Sequence, residues 1–444
     1  MKNNFAYLLV TQIPFTRNES GAPVVDQLWA QDLIALAQSF GSVRVAAPEI
    51  PGSDTFDTWG PGSMALPDDC GVTFVGFPAV HSRLDLWKWP AIRAVLRREV
   101  RKADLIHSSN PFAPYLGLRY AHDLAVKLGK KTLVVVAEDF VDMLGWEWVR
   151  TGASIVQRMR RAAQLRRLEK IVRGMVATAS LTFLHTPAAV QRFRLAAKNS
   201  VAIRQSLHDA EDVISSSGME ERFADLQSGR PLRVAAACRH SGLKGLEMLI
   251  QAIGLLKDRG IRVEASLYGR GPNTAHLKAL IQSRGLQAQV SLPGTISPGK
   301  PLYETLSRFD LFAMVHRTTD FGRAFWDAMA CALPVVAFRT PAAADTVNDG
   351  SDGFITPLDD PQSLSEKLAQ LHENRQLLVD AARAARRRAL DNTRRQWFEM
   401  RAQWVRDLFL NEQCRAHEVV RVDRPVSVPE PTRAEQEELA TLQS

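Results

Sequence analysis

The sequence predicts an α/β protein made of two doubly wound domains with parallel sheets. Short apolar runs alternate with amphipathic stretches over residues 8–136, and the same alternation restarts over residues 232–338. This alternation is typical of βαβ units, in which a helix follows each strand and packs on the sheet. Between the two series, residues 205–230 are rich in Ser and Gly, which indicates a break between domains.

The elements are predicted from short aliphatic runs for strands and from apolar residues recurring every three to four positions for helices. The first series has strands at 8–10, 43–46, 104–107 and 132–136 and helices at 24–39, 89–102 and 113–128, with a loop-rich insertion at 51–88. The second has strands at 232–237, 262–267, 288–291, 310–315 and 334–338 and helices at 244–258, 273–284, 300–307 and 322–331. Further helices are predicted at 361–390 and 392–410.

These elements divide the chain into an N-terminal domain at 1–205, a linker at 206–230 and a second domain at 231–390. A separate C-terminal helix is expected within 391–412. The remaining residues, 413–444, are rich in Pro, Glu, Arg and Val. They are predicted to be disordered, because such a segment buries little apolar surface.

The composition is typical of a globular protein of the cytoplasm. Of the 444 residues, 45% are hydrophobic and 23% are charged, which excludes a wholly disordered chain. The four cysteines lie far apart and form no CxxC pair, which excludes a sequence-local zinc knuckle and argues against a disulfide scaffold. No segment reaches the roughly 18 apolar residues that favour a spanning helix, and the apolar run at 5–10 is too short for a signal peptide.

One segment carries the basic character of the chain, whose formal net charge is +8. Residues 151–200 hold ten Lys and Arg residues and a single acid. Within 150–173, Ile155, Met159 and Val172 recur at roughly helical spacing between arginines, which predicts an amphipathic helix on the anionic inner face of the plasma membrane. A core-packed helix with a solvated basic face is the alternative. Nucleic acid is not expected as a partner, because no reader motif accompanies the charge.

A basic loop follows the first strand of the second domain. Residues 239–245 read Arg-His-Ser-Gly-Leu-Lys-Gly and open a helix. Doubly wound sheets bind ligands at the carboxyl ends of their strands, and a helix N-terminus there favours phosphate. Arg239 and Lys244 add two cations, so this loop predicts an anion site. Two solvated loop charges are the alternative interpretation.

A second polar loop follows the fourth strand of the same domain, where residues 318–330 read Thr-Thr-Asp-Phe-Gly-Arg-Ala-Phe-Trp-Asp-Ala-Met-Ala. Thr319 or Asp320 fits a helix cap, and Gly322 allows a ligand to approach the backbone. Asp327 lies on an otherwise largely apolar helix, so its carboxylate requires a hydrogen-bond partner. That partner is either a ligand hydroxyl or a neighbouring loop.

With these loops in this order, residues 230–360 resemble the donor-binding half of the retaining GT-B glycosyltransferases of family four, the "glycosyl transferases group 1" type. That family reads G-R-x4-K-G on the first loop and E-G-F-G-x4-E-A-M-A-C-G-x-P-V-V on the later one. The matching residues here are Arg239, Lys244-Gly245, Phe321-Gly322 and Asp327-Ala328-Met329-Ala330-Cys331, with Gly269-Arg270-Gly271-Pro272 in place of the family's G-x-G-P turn. The N-terminal half resembles the family only in outline.

The resemblance implies a GT-B architecture, in which two Rossmann-like domains face each other across a cleft and the C-terminal helix crosses back to the first domain. It implies that Arg239 and Lys244 bind the donor diphosphate and assist catalysis there, and that Asp327 accepts hydrogen bonds from ribose hydroxyls. The donor-binding set that it implies is Gly21, Arg239, Lys244, Gly269, Thr319, Asp320, Phe321, Gly322, Arg323 and Asp327.

The chain departs from the family at three positions that matter for chemistry. Thr319 stands where the family has its first acid, with Asp320 one residue later, and the second acid is shortened to Asp327. In the N-terminal domain the family commonly has a His near the sugar. Glu138 is the nearest match and is taken as a catalytic candidate, with a solvated strand-end acid as the alternative.

The expected activity is retaining transfer of a hexosyl group from a nucleotide-diphosphate sugar to a glycan or lipid-linked acceptor, in cell-surface polysaccharide or glycolipid synthesis. Front-face attack assisted by the leaving phosphate is the usual account of retention in this family, so no protein nucleophile is required. No metal or other cofactor is expected, because the sequence has no DxD at a strand end and no tight His/Cys cluster. A catalytically silent nucleotide-sugar-binding protein and a nucleotide-sugar epimerase on the same fold are the alternatives.

Overall fold

Two parallel sheets organise the chain in a computed structural model that describes residues 5–51, 62–80, 83–109, 116–137, 154–317 and 322–410. The strands of the first half are β1 (Tyr7–Val10), β2 (Thr16–Arg17), β3 (Pro23–Asp26), β4 (Val43–Glu49), β5 (Ser63–Ala65), β6 (Val72–Pro78), β7 (Leu105–Ser109), β8 (Lys131–Val136), β9 (Leu181–Leu184) and β10 (Ser200–Ala202). Seven of them form a parallel sheet in the order β10-β9-β8-β7-β1-β4-β6.

The second sheet has six parallel strands in the order β13-β12-β11-β14-β15-β16. These strands are β11 (Leu232–Ala237), β12 (Val263–Tyr268), β13 (Val290–Gly294), β14 (Leu311–Met314), β15 (Val335–Phe338) and β16 (Gly353–Thr356). In both sheets the chain begins in the middle and then extends to either edge, which is the doubly wound arrangement. The predicted α/β class with two parallel sheets is confirmed.

Helices cover both faces of each sheet. They are α1 (Gln27–Phe40), α2 (Trp89–Lys102), α3 (Leu116–Lys127), α4 (Ile155–Thr178), α5 (Pro187–Phe193), α6 (Ser216–Gln227), α7 (Leu246–Asp258), α8 (Thr274–Ser283), α9 (Lys300–Leu306), α10 (Arg323–Ala330), α11 (Pro341–Thr346), α12 (Pro361–Glu373), α13 (Arg375–Leu390) and α14 (Arg394–Leu410). The single helix expected at 361–390 is two helices, because the backbone leaves the helical conformation at Asn374.

The sequence indicated a loop-rich insertion at 51–88, but this segment also contains the strands β5 and β6. β6 pairs with β4 from Val72 to Pro78 and forms the edge of the main sheet. Gly71, Gly76 and Pro78 interrupt its apolar pattern, which concealed the strand. A separate antiparallel sheet of β2, β3 and β5 also uses Pro23–Asp26, so α1 begins three residues later than predicted.

The linker expected at 206–230 contains a helix that belongs to the second domain. Met219, Phe223 and Leu226 lie on one face of α6 and are buried in the core of that domain. The Ser-rich run suggested a loop, but Ser215 caps the helix by accepting a hydrogen bond from the Gly218 N–H. The prediction of a linker over this segment is therefore wrong for 216–227.

The helix α14 leaves the second domain and packs against the first. Trp397, Ala402, Val405 and Leu408 are buried in a cluster formed with the central strands and α1 of the N-terminal domain. The guanidinium group of Arg406 donates to the Ser39 carbonyl oxygen at 2.8 Å. The N-terminal core is therefore completed by residues that come last among the described ones. The tail at 413–444 lies outside them.

The two halves of the basic helix α4 differ in burial. Its C-terminal half is buried, with Val172, Met175 and Val176 in the core of the N-terminal domain. At its N-terminal end, Ile155 is 76% and Met159 is 68% exposed. The sequence pattern placed Val172 on one face with these two residues, and that grouping is wrong because Val172 lies on the buried face.

None of the described helices is both long and apolar enough to cross a membrane.

Replacing Trp397 by Ala should destabilise the N-terminal domain. The side chain is only 6% exposed, and removing a buried Trp costs about 3–5 kcal/mol. Leu410→Ala in the same helix is the control, because Leu410 is 76% exposed. Denaturant titration followed by circular dichroism should show an earlier first transition for Trp397→Ala alone, and equal midpoints for the two variants would contradict this packing.

Candidate functional site

The order of strands in the second sheet reverses between β11 and β14. From β11 the chain builds outward through β12 and β13, and from β14 it builds in the opposite direction. Doubly wound sheets open a crevice at such a switch point, at the carboxyl ends of the two strands. Here residues 239–245 follow β11 and residues 315–317 follow β14. We call the space between these two segments and the start of α10 the switch-point crevice.

The loop after β11 is held close to the end of β14 by a glycine. Gly245 has φ +60°, and a Cβ atom at this position would lie 2.1 Å from the Val315 carbonyl oxygen. Any other residue would therefore clash with backbone and adopt an unfavourable conformation. Lys244, which precedes this glycine, is half-buried at the base of α7. Arg239 on the same loop is exposed.

Arg317 fastens the two segments together, and no sequence pattern singled it out. Its guanidinium group forms ion pairs with Glu247 on α7 and with Asp359, and it also donates to the Gly242 carbonyl oxygen at 2.9 Å. Its backbone N–H donates to the Leu243 carbonyl oxygen at 2.9 Å. Only the fold brings these partners together, since Glu247 and Asp359 lie far from Arg317 in sequence.

The glycine-rich turn after β12 packs directly on the loop after β11. A Cβ atom at Gly269, whose φ is +128°, would lie 1.9 Å from the Cys238 carbonyl oxygen. His240 fixes the turn, because its N–H donates to the Arg270 carbonyl oxygen and its Nδ1 lies 3.0 Å from Thr274 Oγ1. The predicted proximity of Gly269 to the basic loop is therefore a backbone contact.

Helix α10 begins at the edge of the crevice. Gly322 stands at its N-cap position and has no side chain with which to cap the helix. A Cβ atom at Gly322 would overlap the Met314 side chain, so the helix starts directly against the end of β14. The first N–H groups and the helix dipole give this end a partial positive charge, to which the half-buried Arg323 adds a full one.

Asp327 is buried on α10, with 6% of its surface exposed. Burial raises the pKa of its carboxyl group to about 6, against the opposing effect of a hydrogen bond from Tyr303. The Tyr303 hydroxyl donates to Asp327 Oδ1 at 3.2 Å, and no described residue donates to Oδ2. The sequence left two possible partners for Asp327, a ligand hydroxyl or a neighbouring loop. The partner in the structure is the side chain of Tyr303 on α9.

Arg323 also faces the N-terminal domain. Burial is the largest effect on the pKa of two groups there: it raises the pKa of the half-buried Asp32 on α1 and lowers that of the buried His185 after β9. The charge of Arg323 lowers the pKa of both groups. Arg401 of α14 acts on the same two groups. The structure thus brings His185 close enough to Arg323, a predicted donor-site cation, for the two to interact electrostatically.

The predicted site residues fall into three groups. Residues after β11, β12 and β14 meet at the crevice, as described above. Gly21 does not join them: it lies exposed in the turn between β2 and β3, and no hydrogen bond of the described residues connects it to the crevice. Glu138, Thr319, Asp320 and Phe321 lie outside the described residues. In the described part of the chain, no three His, Cys, Asp or Glu side chains are arranged to hold a metal ion.

The sequence profile described as "Glycosyl transferases group 1" matches residues 220–388. The resemblance found in the motifs is therefore confirmed for the second domain. The amylovoran biosynthesis glycosyltransferase AmsK of Erwinia amylovora is 29% identical over 163 residues, which is 35% of this chain and 40% of AmsK. A GDP-mannose-dependent alpha-(1-6)-phosphatidylinositol monomannoside mannosyltransferase of Mycolicibacterium smegmatis is 29% identical over 190 residues, 41% of this chain and 49% of that protein. Each alignment thus spans less than half of the relative.

The solved structure of Anabaena Alr3699/HepE in complex with UDP superposes with a TM-score of 0.65 over 90% of this chain and 99% of that one, at 18% identity. The fold is GT-B. In a GT-B protein two Rossmann-like domains face each other across a cleft, and here α5 of the first domain contacts α11 of the second. The GT-B arrangement predicted from the motifs is confirmed.

Asp327 should make the stability of this GT-B protein depend on pH. Its pKa is about 6 in the fold against 3.8 for a solvated Asp, so its contribution to stability is complete below pH 3.8 and is lost as the pH rises through 6. This change amounts to about 3 kcal/mol. Asp327→Asn does not titrate, so the melting temperature of this variant relative to the wild type should rise between pH 4.5 and pH 7.5.

Tyr303→Phe is the companion variant. Removing the hydrogen bond to the carboxylate should raise the pKa of Asp327 further and move the loss of stability to higher pH. A melting-temperature difference between Asp327→Asn and wild type that stays constant over this pH range would show that Asp327 does not titrate as a buried group.

Proposed function

We propose that this protein is a glycosyltransferase that uses a nucleotide-diphosphate sugar as donor. The observation that carries the proposal is that the family match at 220–388 encloses the switch-point crevice. The crevice combines a lysine, a helix N-terminus and a buried carboxylate. The first two suit a diphosphate, and the third suits sugar hydroxyls. The UDP named with Alr3699/HepE supports a nucleotide-bound donor.

In this proposal, the diphosphate lies between Lys244 and the start of α10, with Arg239 and Arg323 adding charge from the rims. Asp327 accepts hydrogen bonds from the ribose hydroxyls on Oδ2, while Tyr303 continues to hold Oδ1. Gly269 and Gly322 allow backbone to approach the ligand closely. Thr319, Asp320 and Phe321 remain predicted donor contacts.

In the proposed reaction the protein mainly stabilises the charge of the leaving group, and no protein nucleophile is required. Glycosyl transfer passes through an oxocarbenium-like state, as glycoside hydrolysis does. The bond from the anomeric carbon to the diphosphate breaks, and negative charge grows on the leaving group. Lys244, Arg239 and the N–H groups of α10 offset that charge without a metal ion. We propose that the acceptor hydroxyl attacks from the same face and loses its proton to the leaving phosphate, so configuration is retained.

The acceptor is proposed to be a glycan or a lipid-linked sugar on the N-terminal side of the cleft. AmsK is named for amylovoran biosynthesis, and the mycobacterial relative for a phosphatidylinositol monomannoside. These names support polysaccharide or glycolipid synthesis as the setting. A cytoplasmic location remains a prediction from the sequence. Glu138 in this domain remains the predicted catalytic residue, and Gly21 remains a predicted donor contact, although it lies apart from the crevice.

We further propose that the first half of α4 rests on anionic lipid. The exposed apolar side chains Ile155, Val156 and Met159 stand at the tip of the helix, away from the face that carries Val172 into the core. Exposed basic residues, among them Arg158, Arg160, Arg166 and Lys170, follow along the helix. Apolar side chains at the tip and cations behind them fit the boundary between acyl chains and headgroups.

Lys244→Ala should weaken binding of a nucleoside diphosphate by about 10–100-fold, because a charge-assisted hydrogen bond is lost. Calorimetric titration with UDP, GDP and ADP measures this change, and substitution of the exposed Lys278 of α8 by Ala is the control. Unchanged nucleotide affinity in Lys244→Ala would remove Lys244 from the diphosphate site.

Asp327→Asn should weaken the binding of the same nucleotides but leave the binding of inorganic pyrophosphate unaffected.

A catalytically silent nucleotide-sugar-binding protein is the second candidate, because Thr319 replaces the first acid of the family motif. It would bind a nucleotide sugar yet release no nucleotide with any acceptor. An epimerase on the same fold would convert the donor sugar without an acceptor. Release of nucleoside diphosphate in the presence of acceptor therefore separates the proposed transferase from both.

Replacing Arg158, Arg160 and Arg161 by Glu should abolish co-sedimentation with liposomes that contain anionic phospholipid. The control reverses three exposed arginines of the second domain, Arg259, Arg262 and Arg284. It changes the net charge equally but leaves α4 intact, so it should still sediment. Sedimentation of both variants would favour the core-packed helix with a solvated basic face.

A further inference from the structure

Two buried imidazoles beside the crevice, those of His240 and His316, each have a nitrogen without a hydrogen-bond partner among the described residues. The ring of His240 is held by Thr274, whereas His316 is 9% exposed and its buried Nδ1 atom has no partner in the described part of the chain. An unpaired buried polar atom costs roughly 1–3 kcal/mol in a folded protein. Most buried polar groups avoid that cost, so an exception needs an explanation, such as strain, an ordered water or a ligand. The interaction of His316 with Lys244 favours a ligand here. No sequence motif singled out this residue.

The direction of the His316 side chain follows from β14. Leu311, Ala313 and Val315 belong to the core under α7, whereas Phe312 and Met314 belong to the cluster under α10. Successive side chains alternate along an extended chain. His316 therefore follows Phe312 and Met314 on the α10 side, where the Met314 side chain meets Gly322 at the start of that helix.

The neighbours of His316 are the groups that favour an anion. Burial, together with the nearby charge of Lys244, holds the pKa of His316 well below its ordinary value, so the ring is neutral at pH 7. The residues on either side of it, Val315 and Arg317, both contact the backbone of the loop that carries Lys244. The imidazole is therefore close to Lys244 and follows the side of β14 that faces α10.

We propose that His316 is a further ligand-binding residue of this crevice, whose Nδ1–H donates a hydrogen bond to a phosphate oxygen of the donor diphosphate. The inference rests on the proposed function for the identity of the ligand. A neutral imidazole adds a directional donor where Lys244 already supplies charge. Because no described residue is bonded to Nδ1 of the ring, the bond to phosphate replaces none of the hydrogen bonds of the described residues.

The test compares three variants by calorimetry with UDP, GDP, ADP and inorganic pyrophosphate at pH 7. His316→Ala removes the donor and should weaken both nucleotide and pyrophosphate binding roughly tenfold or more. His316→Asn keeps an N–H donor near the position of Nδ1 and should restore most of the affinity. His316→Gln places its amide near the position of Nε2 and should not. Melting temperatures without ligand show whether each variant remains folded.

The outcomes separate this inference from the proposed function. If wild type binds pyrophosphate but no nucleotide, the nucleotide-sugar function fails, and the variants still test His316 with pyrophosphate. If wild type binds neither, both fail. If wild type binds and His316→Ala binds equally well, the role of His316 alone is overturned. Loss of affinity in all three variants with a lowered melting temperature would also overturn it, because His316 would then only support the fold.

Discussion

A single buried indole connects the candidate site to the rest of the protein. Trp326 has no exposed surface, and the guanidinium carbons of Arg204 and Arg388 lie 5.7 and 5.6 Å from its ring centroid. A desolvated cation–π contact contributes about 2 kcal/mol. Arg204 belongs to the segment after β10, and Arg388 belongs to α13. The helix that carries Asp327 is therefore positioned by both the domain connection and the C-terminal helices.

The same connection is made largely of buried and half-buried polar groups. The Arg401 guanidinium donates to the Arg204 carbonyl oxygen at 2.6 Å, and Gln205 donates to Asp32 Oδ2 at 2.8 Å. Burial lowers the pKa of Arg401 to about 10 and raises that of Asp32. Such groups add little net stability compared with apolar packing, but they tolerate few geometries. The contact between the domains consequently allows few relative orientations. Arg323 at the start of α10 interacts electrostatically with Asp32 of this contact.

The sequence predicted the two sheets and most of their elements, because strand and helix periodicities are local properties. β11 and α2 were predicted with the bounds that the structure has, whereas β6 was missed because Gly and Pro interrupt it. The residues after β11, β12 and β14 could be placed together by the rule for doubly wound sheets. The ion pairs of Arg317 and the hydrogen bond from Tyr303 to Asp327 could not be predicted from the sequence. Each depends on side chains that only tertiary packing brings into contact.

The return of α14 to the first domain has a consequence for how the protein is made. Residues 5–202 leave the ribosome first, yet their core includes Trp397 and Val405, which emerge only after the whole second domain. Until then, an apolar surface lined by Tyr7, Phe40 and Phe183 has no cover. During synthesis, this surface is a natural target for chaperones and a point at which aggregation begins. The domain synthesised first is therefore the last to complete its core.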